Sequence, residues 1–246
     1  MNEMLKRLLT APYLYLTPKY QRFVADFRQF AELSRTQGRR FEVRWVERYP
    51  CLDDNTAETA FDAHYTYHPA WAARIIAQTR PARHVDLSST LHFCAMVSAF
   101  VPVDFYDIRP ARLRLEGLSC NKGDLLALPF SSGEVMSLSC MHVVEHVGLG
   151  RYGDSIDPLG DLKAIAELTR VLANGGSLLF VVPVGRPTIR FNAHRIYSYE
   201  QVVSYFPALR VKQFALVDDR GEFTVNADPA DVRDQTYGCG CWWLVK

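Results

Sequence analysis

Glu167-Leu168-Thr169-Arg170-Val171-Leu172-Ala173-Asn174-Gly175-Gly176-Ser177-Leu178-Leu179-Phe180-Val181-Val182-Pro183 joins the end of one periodic pattern to the start of another. Reading back from it, Leu162, Ile165, Leu168, Val171 and Leu172 recur at helical spacing. The segment from Pro158 to Leu172 therefore predicts an amphipathic helix, with Asp157 as its cap. Asn174-Gly175-Gly176 ends that helix. Ser177 to Val182 is an unbroken apolar run of strand length, the strongest strand signal in the chain. A helix, a glycine turn and a buried strand in succession form the repeating unit of an α/β protein.

The same rhythm extends outward in both directions. His84 to Leu87 is a short strand candidate and Leu91 to Phe100 a helix apolar almost throughout. Val101 to Tyr106, closed by Asp107, and Val135 to Cys140 are further strands. Downstream, Ser198 and Gln201 form a capping box for one more helix. Val211 to Val217 and Trp242 to Val245 read as the last strands. Residues 81–246 thus predict one domain with a mainly parallel sheet.

Residues 1–80 read as an N-terminal helical extension or lid. Thr17-Pro18 opens a helix carrying Tyr20, Phe23, Phe27 and Phe30, and Gly38 stops it. Phe41 to Val46 alternates like an extended segment. A second helix is expected from Pro69 to Ala77. The stretch Tyr65-Thr66-Tyr67-His68 reads as core packing, or as a lid over a substrate.

Composition narrows the function classes. Among 246 residues, 28 Lys and Arg stand against 27 Asp and Glu. So even a balance supplies no long basic surface for phosphates, and nucleic acid is not the expected partner. No apolar run reaches the roughly 18 residues of a membrane-spanning helix. The N-terminal MNEMLKRLLTAPYLYL is broken by Thr10 and Pro12, which argues against a signal peptide. The expectation is a soluble cytoplasmic protein. The six cysteines form no C-x-x-C pair. Cys239-Gly240-Cys241 has no second pair nearby in sequence to complete a zinc site, so all six read as reduced, mostly buried thiols.

In a parallel sheet, ligands bind beyond the carboxyl ends of the strands. Asp107 closes a strand where a carboxylate is placed to accept from a ribose diol, or simply to cap a turn. Asp124 is placed to accept from an adenine amino group, or again to cap. His142-Val143-Val144-Glu145-His146 matches the H-x-x-E-H metal motif, and on a helix those three side chains would share a face. The protease reading of that motif needs a third ligand and a different fold. Between Gly148, Gly150 and Gly153 lie Arg151, Tyr152 and Asp154. The glycines let the loop close over a ligand, and Arg151 is suited to a carboxylate or phosphate.

Taken together, Asp86, Asp107, the GDLLALPF segment, CMHVVEHV and ELTRVLANGGSLLFVVP resemble the class I S-adenosylmethionine-dependent methyltransferases over residues 80–185. More narrowly, HVDLSSTLHF, VDFYDIRP, SLSCMHVVEHVGLGRYGDSIDPLGD and FNAHRIYS resemble a methyltransferase-like family of unknown function over about residues 60–220. The resemblance implies a Rossmann-like three-layer sandwich that binds S-adenosylmethionine. It implies cofactor contacts from Asp86, Ser88, Ser89, Asp107, Asp124, Cys140 and His142. One departure stands out: the turn Asp86-Leu87-Ser88-Ser89-Thr90 has no glycine where the superfamily carries several. Its serines would supply hydroxyls to the methionine carboxylate instead.

In the family's layout, Phe191 to Tyr197 faces the acceptor. His194 is then the first candidate for general base, with His146 and Asp154 behind it. Arg151, Tyr152, Asn192, Arg195 and Tyr197 are the candidate substrate contacts. Glu145 and His146 are similar to a segment of quinone-pathway O-methyltransferases that can bind a divalent cation, while His142 departs from that pattern. Ordering of the substrate loop is the preferred reading, with no metal ligand assigned. The expected activity is methyl transfer to a small molecule or glycan, with oxygen as the favoured acceptor atom. The rivals are a non-catalytic binding module with the same fold and a metal-dependent enzyme acting on a sugar or nucleotide.

Overall fold

The computed structural model describes residues 17–38 and 40–246. The reading of the N-terminal stretch as a targeting signal falls on residues 1–16, outside the described residues. Two compact units are present, Met1–Ala60 and Phe61–Lys246. The division lies earlier than the expected one at 80/81, because the helix after residue 61 packs within the second unit.

In the first unit, α1 (Pro18–Thr36) starts where Thr17 Oγ1 accepts from the Tyr20 N–H. Phe27 meets Trp45 edge to face at 4.9 Å, and the Arg48 guanidinium lies over the same indole. The extended segment expected at Phe41 to Val46 does not form. Trp45–Glu47 is instead a single 3₁₀ turn, tied to Arg44 by an ion pair through Glu47.

The second unit opens with α2 (Ala63–Thr79). Asp62 caps it through the Tyr65 N–H, and Pro69 sits inside it. This helix begins before the expected Pro69: Asp62 caps its first turn, and the buried face of His68, Pro69, Trp71, Ala72, Ile75 and Ile76 holds it across the proline. Then follow β1 (His84–Leu87), α3 (Leu91–Val97), β2 (Val103–Asp107), β3 (Leu118–Lys122) and β4 (Val135–Met141). The chain continues through α4 (Gly160–Val171), β5 (Leu172–Val184), the hairpin β6 (Thr188–Arg190) and β7 (His194–Ile196), and α5 (Tyr199–Tyr205). It closes with β8 (Arg210–Val217), β9 (Phe223–Val225) and β10 (Gly238–Val245).

Eight strands form one sheet in the order β3-β2-β1-β4-β5-β10-β8-β9. The first five run parallel, while β10 is antiparallel to both neighbours and β9 to β8. Strand order reverses between β1 and β4, which opens a crevice at their carboxyl ends. One core joins the sheet to α4 and α5 through Ile165, Leu168, Val202 and Trp242. The other joins it to α2 and α3 through Trp71, Ile76, Phe93 and Val97. The result is the expected α/β three-layer sandwich.

Local expectations shift in detail. Asp157 accepts from the Leu159 N–H just before α4 rather than capping the helix itself. Leu162 is exposed, and Ala164 takes its place in the core. Asn174-Gly175-Gly176 lies within β5, at an irregularity where the register jumps between Val135↔Leu172 and Ser137↔Ser177. Edge strands β3 and β9 had no sequence signal, because a short half-exposed strand shows little alternation. None of the six cysteines is paired, and four are buried. Among the described residues, no helix is long and apolar enough to cross a membrane.

Candidate functional site

The turn after β1 shows how a glycine-free crossing is built. Ser88 adopts φ +57°, a conformation in which glycine is at ease and a side chain is strained. Two bonds hold it there: its backbone N–H and its hydroxyl both donate to the Tyr106 carbonyl on β2, at 2.9 and 3.1 Å. The Ser89 hydroxyl accepts from the Met141 N–H, and Thr90 caps α3 through the Phe93 N–H. Little of the expected hydroxyl supply is therefore free. The Ser88 proton is committed to the sheet, and the Ser89 side chain also bonds to the buried Asp86 carboxylate.

Beyond this turn lies a cavity of about 410 Å³, lined by Ser88, Asp107, Asp124, His142, His146 and Tyr152 among others. One oxygen of Asp107 accepts from the Arg109 N–H at 2.6 Å, and one oxygen of Asp124 from the Leu126 N–H at 2.9 Å. Each carboxylate thus braces its own turn and keeps a second oxygen for a ligand. Arg109 closes the rim with its guanidinium 4.7 Å over the Tyr152 ring.

A second cavity, about 420 Å³, adjoins the first and shares Ser88, His142, His146 and Tyr152 with it. Its other walls include Tyr65 from α2, Glu145, Arg151, His194 and Tyr237. The His146 Nδ1–H donates to the Ala193 carbonyl at 2.6 Å, which leaves Nε2 as the basic nitrogen. Arg151 donates to the same carbonyl at 3.1 Å. The His194 Nε2 is buried without a partner, and its ring lies 4.8 Å from Tyr237. Burial, helped by the Arg190 charge, lowers His194 below the usual imidazole range, so it is neutral at physiological pH. Burial and the nearby Glu145 push Tyr65 up to about 12, so its phenol keeps its proton.

Residues 142–146 are not a helix. His142, the residue after β4, adopts φ +57°, and Val144–His146 makes one 3₁₀ turn. The shared helical face expected of the H-x-x-E-H pattern is thus replaced by a buried contact, His142 Nδ1 to Glu145 Oε1 at 2.9 Å. Burial by itself would strip His142 of a proton. The Cys239 sulfur and the Glu145 carboxylate on its two nitrogens reverse this and push it up to about 10.

Several candidate residues have structural duties instead. Asp86 is fully buried and lines neither cavity; it accepts from Ser139 and from the Ser89 N–H. Cys140 is buried in the core beneath α4. Asp154 borders the first cavity, but its carboxylate takes N–H bonds from Gly148, Gly150 and Tyr152. Burial would raise it, yet those bonds hold it below the usual carboxylate range and tie it to the loop. Gly148 must stay glycine: a Cβ there would meet the Asp157 carbonyl oxygen at 2.0 Å.

Arg195 is buried, donating to the Val147 carbonyl at 2.7 Å and pairing with Asp161 at 3.5 Å. Tyr197 donates to the same Asp161 at 2.9 Å. Asn192 is exposed on the β6–β7 hairpin and lines neither cavity. Sequence reasoning gave no site role to Arg109 or Tyr237. Arg109 lies in the VDFYDIRP stretch two residues after Asp107, whereas Tyr237 sits in no local motif and only the tertiary fold brings it, just before β10, to the β4 terminus.

Residues 134–208 match the family described as "Caenorhabditis protein of unknown function, DUF268". No curated protein matches the chain by sequence. The structure is similar to the N-methyltransferase NodS from Bradyrhizobium japonicum WM9, solved in complex with S-adenosyl-L-homocysteine. That likeness has a TM-score of 0.52 at 14% identity and covers 78% of this chain and 91% of that one. A putative sarcosine dimethylglycine methyltransferase from Galdieria sulphuraria is similar at TM-score 0.50 and 14% identity, over 72% of this chain and 84% of that one. The chain has the fold of the class I S-adenosylmethionine-dependent methyltransferases.

Proposed function

We propose that the protein is an S-adenosylmethionine-dependent methyltransferase that modifies a hydroxyl of a small-molecule or glycan acceptor. The observation that carries this reading is the pair of adjoining cavities at the strand-order reversal, with Ser88, His142, His146 and Tyr152 as their common wall. A cofactor on one side and an acceptor on the other would meet at that wall. The first cavity suits the cofactor: the free Asp107 oxygen would accept from the ribose diol and Asp124 from the adenine amino group. When bound, the cofactor supplies a methyl group activated on a sulfonium.

The chain's own work is positioning and proton removal. Arg151 would hold an anionic or polar group of the acceptor. The neutral His194, or the Nε2 of His146, would take the hydroxyl proton. The balanced charge of the chain favours an acceptor other than nucleic acid and accords with a cytoplasmic enzyme. A non-catalytic binding module is the second reading, favoured by the commitment of the Ser88 hydroxyl to the Tyr106 carbonyl.

Calorimetric titration with S-adenosylmethionine and S-adenosylhomocysteine tests the proposal. Binding of both in the micromolar range is expected, and folded protein that binds neither overturns it. Asp107→Ala is expected to weaken S-adenosylhomocysteine binding about 10- to 100-fold, the value of hydrogen bonds to a charged acceptor. Unchanged affinity would remove the role assigned to Asp107.

A further inference from the structure

Three side chains from distant parts of the sequence converge beside the cavities: His64 on α2, His142 at the end of β4 and Cys239 on β10. One donor atom from each lies within 4.8 Å of the other two. We propose that His64, His142 and Cys239 form a binding site for a thiophilic divalent cation of the zinc class. This goes beyond methyl transfer and does not depend on it.

The geometry already approaches that of a coordination sphere. A thiolate and an imidazole nitrogen on one tetrahedral zinc ion are about 3.6 Å apart, given the usual bond lengths. Here His142 Nε2 and Cys239 Sγ are separated by 3.4 Å. Two thiolates on one such ion are about 3.8 Å apart. The Cys241 Sγ, on the same face of β10, lies 3.8 Å from that of Cys239 but stands outside the cluster of three, so Cys239 is the site's one thiolate ligand.

His142 is also prepared as a ligand. Its Nδ1 rests on the buried Glu145 carboxylate at 2.9 Å, which presents Nε2 to an ion. A carboxylate behind a histidine is how metal-binding imidazoles are commonly oriented. An independent observation points to the same place. His68, fully buried and edge-on to the His142 ring at 5.0 Å, spends its Nδ1–H on the His64 carbonyl and leaves Nε2 with no partner. Glu145 Oε2 is likewise buried and unpartnered. Unmatched polar atoms of this kind are costly. Binding would replace both the Cys239 thiol proton and the Nε2 proton of His142, and the two leave to solvent as the metal–sulfur and metal–nitrogen bonds form.

The full chain, without a histidine tag and stripped by chelation, is titrated with Co²⁺. One equivalent should bind with the strong visible bands of a tetrahedral site and a thiolate-to-cobalt charge-transfer band, all removed by Zn²⁺. Cys239→Ser should abolish the charge-transfer band. His64→Asn should weaken Co²⁺ binding at least tenfold. A wild-type titration without charge-transfer absorption overturns the proposal, as does a band that survives Cys239→Ser. Should the serine variant fail to fold, unchanged affinity in His64→Asn overturns it alone. Cofactor titration is a separate readout, so a failure of metal binding and a failure of cofactor binding are distinguished.

Discussion

Arg195→Ala is expected to lower the unfolding free energy by about 3–5 kcal/mol, the cost of leaving a buried charge without its partner. The Arg195 side chain sits beneath the 145–158 segment, with Nη1 on the Val147 carbonyl at 2.7 Å and Nε 3.5 Å from Asp161. Truncation strands the buried Asp161 with Tyr197 as its remaining donor and removes the donor from the Val147 carbonyl. Arg195→Lys keeps a charge but loses the planar fork that reaches both partners, so it should recover only part of the loss. Urea melts followed by the fluorescence of the tryptophans, with Trp242 wholly buried, measure the difference. A change below about 1 kcal/mol, the range of an exposed pair, would mean that the contact is not a clamp.

The second large effect is a change in acid response on replacing Asp86. Burial pushes the Asp86 carboxyl up to about 6, against the opposing pull of bonds from Ser139 and Ser89. Its folded value exceeds the unfolded one of 3.8, so its stabilising contribution is full below that value and is lost as pH rises through 6. His84 works in the opposite sense. Both its ring nitrogens meet serine hydroxyls at 2.8 Å, and burial pushes it down to about 3. The stability it confers is complete above the unfolded 6.5 and declines as pH falls toward 3.

Ser139 links the two groups, and over most of the interval between pH 6 and 4 their contributions nearly cancel. Asp86→Asn removes the compensating half. Relative to wild type, the variant should lose roughly 2.4 kcal/mol of stability between pH 7 and pH 4, read from urea melts at each pH. A parallel pH dependence in the two proteins would rule out an Asp86 titration near 6.

Much of this architecture is visible in local sequence. The helical stripe through Ile165 and Leu168, the apolar run of β5, the capping box at Ser198 and the acidic end of β2 each depend on residues a few positions apart, and each forms as expected. Asp107, Asp124, Arg151 and Tyr152 reach a cavity because each follows a strand in a sheet whose ligand crevice is set by topology.

What the tertiary structure decided was how each polar side chain is used. Asp86 and Asp107 both lie at or near strand ends, yet one bonds to Ser139, 53 residues away, and the other borders a cavity. Arg195 and Tyr197 look like acceptor contacts in sequence but turn inward to Asp161. His64, His142 and Cys239 carry no shared motif and meet only because α2 packs beside β10 and the end of β4. Periodicity and capping are short-range effects, fixed by neighbours along the chain. Burial and the choice of a hydrogen-bond partner depend on which distant segment lies opposite, and only the folded chain supplies that neighbour.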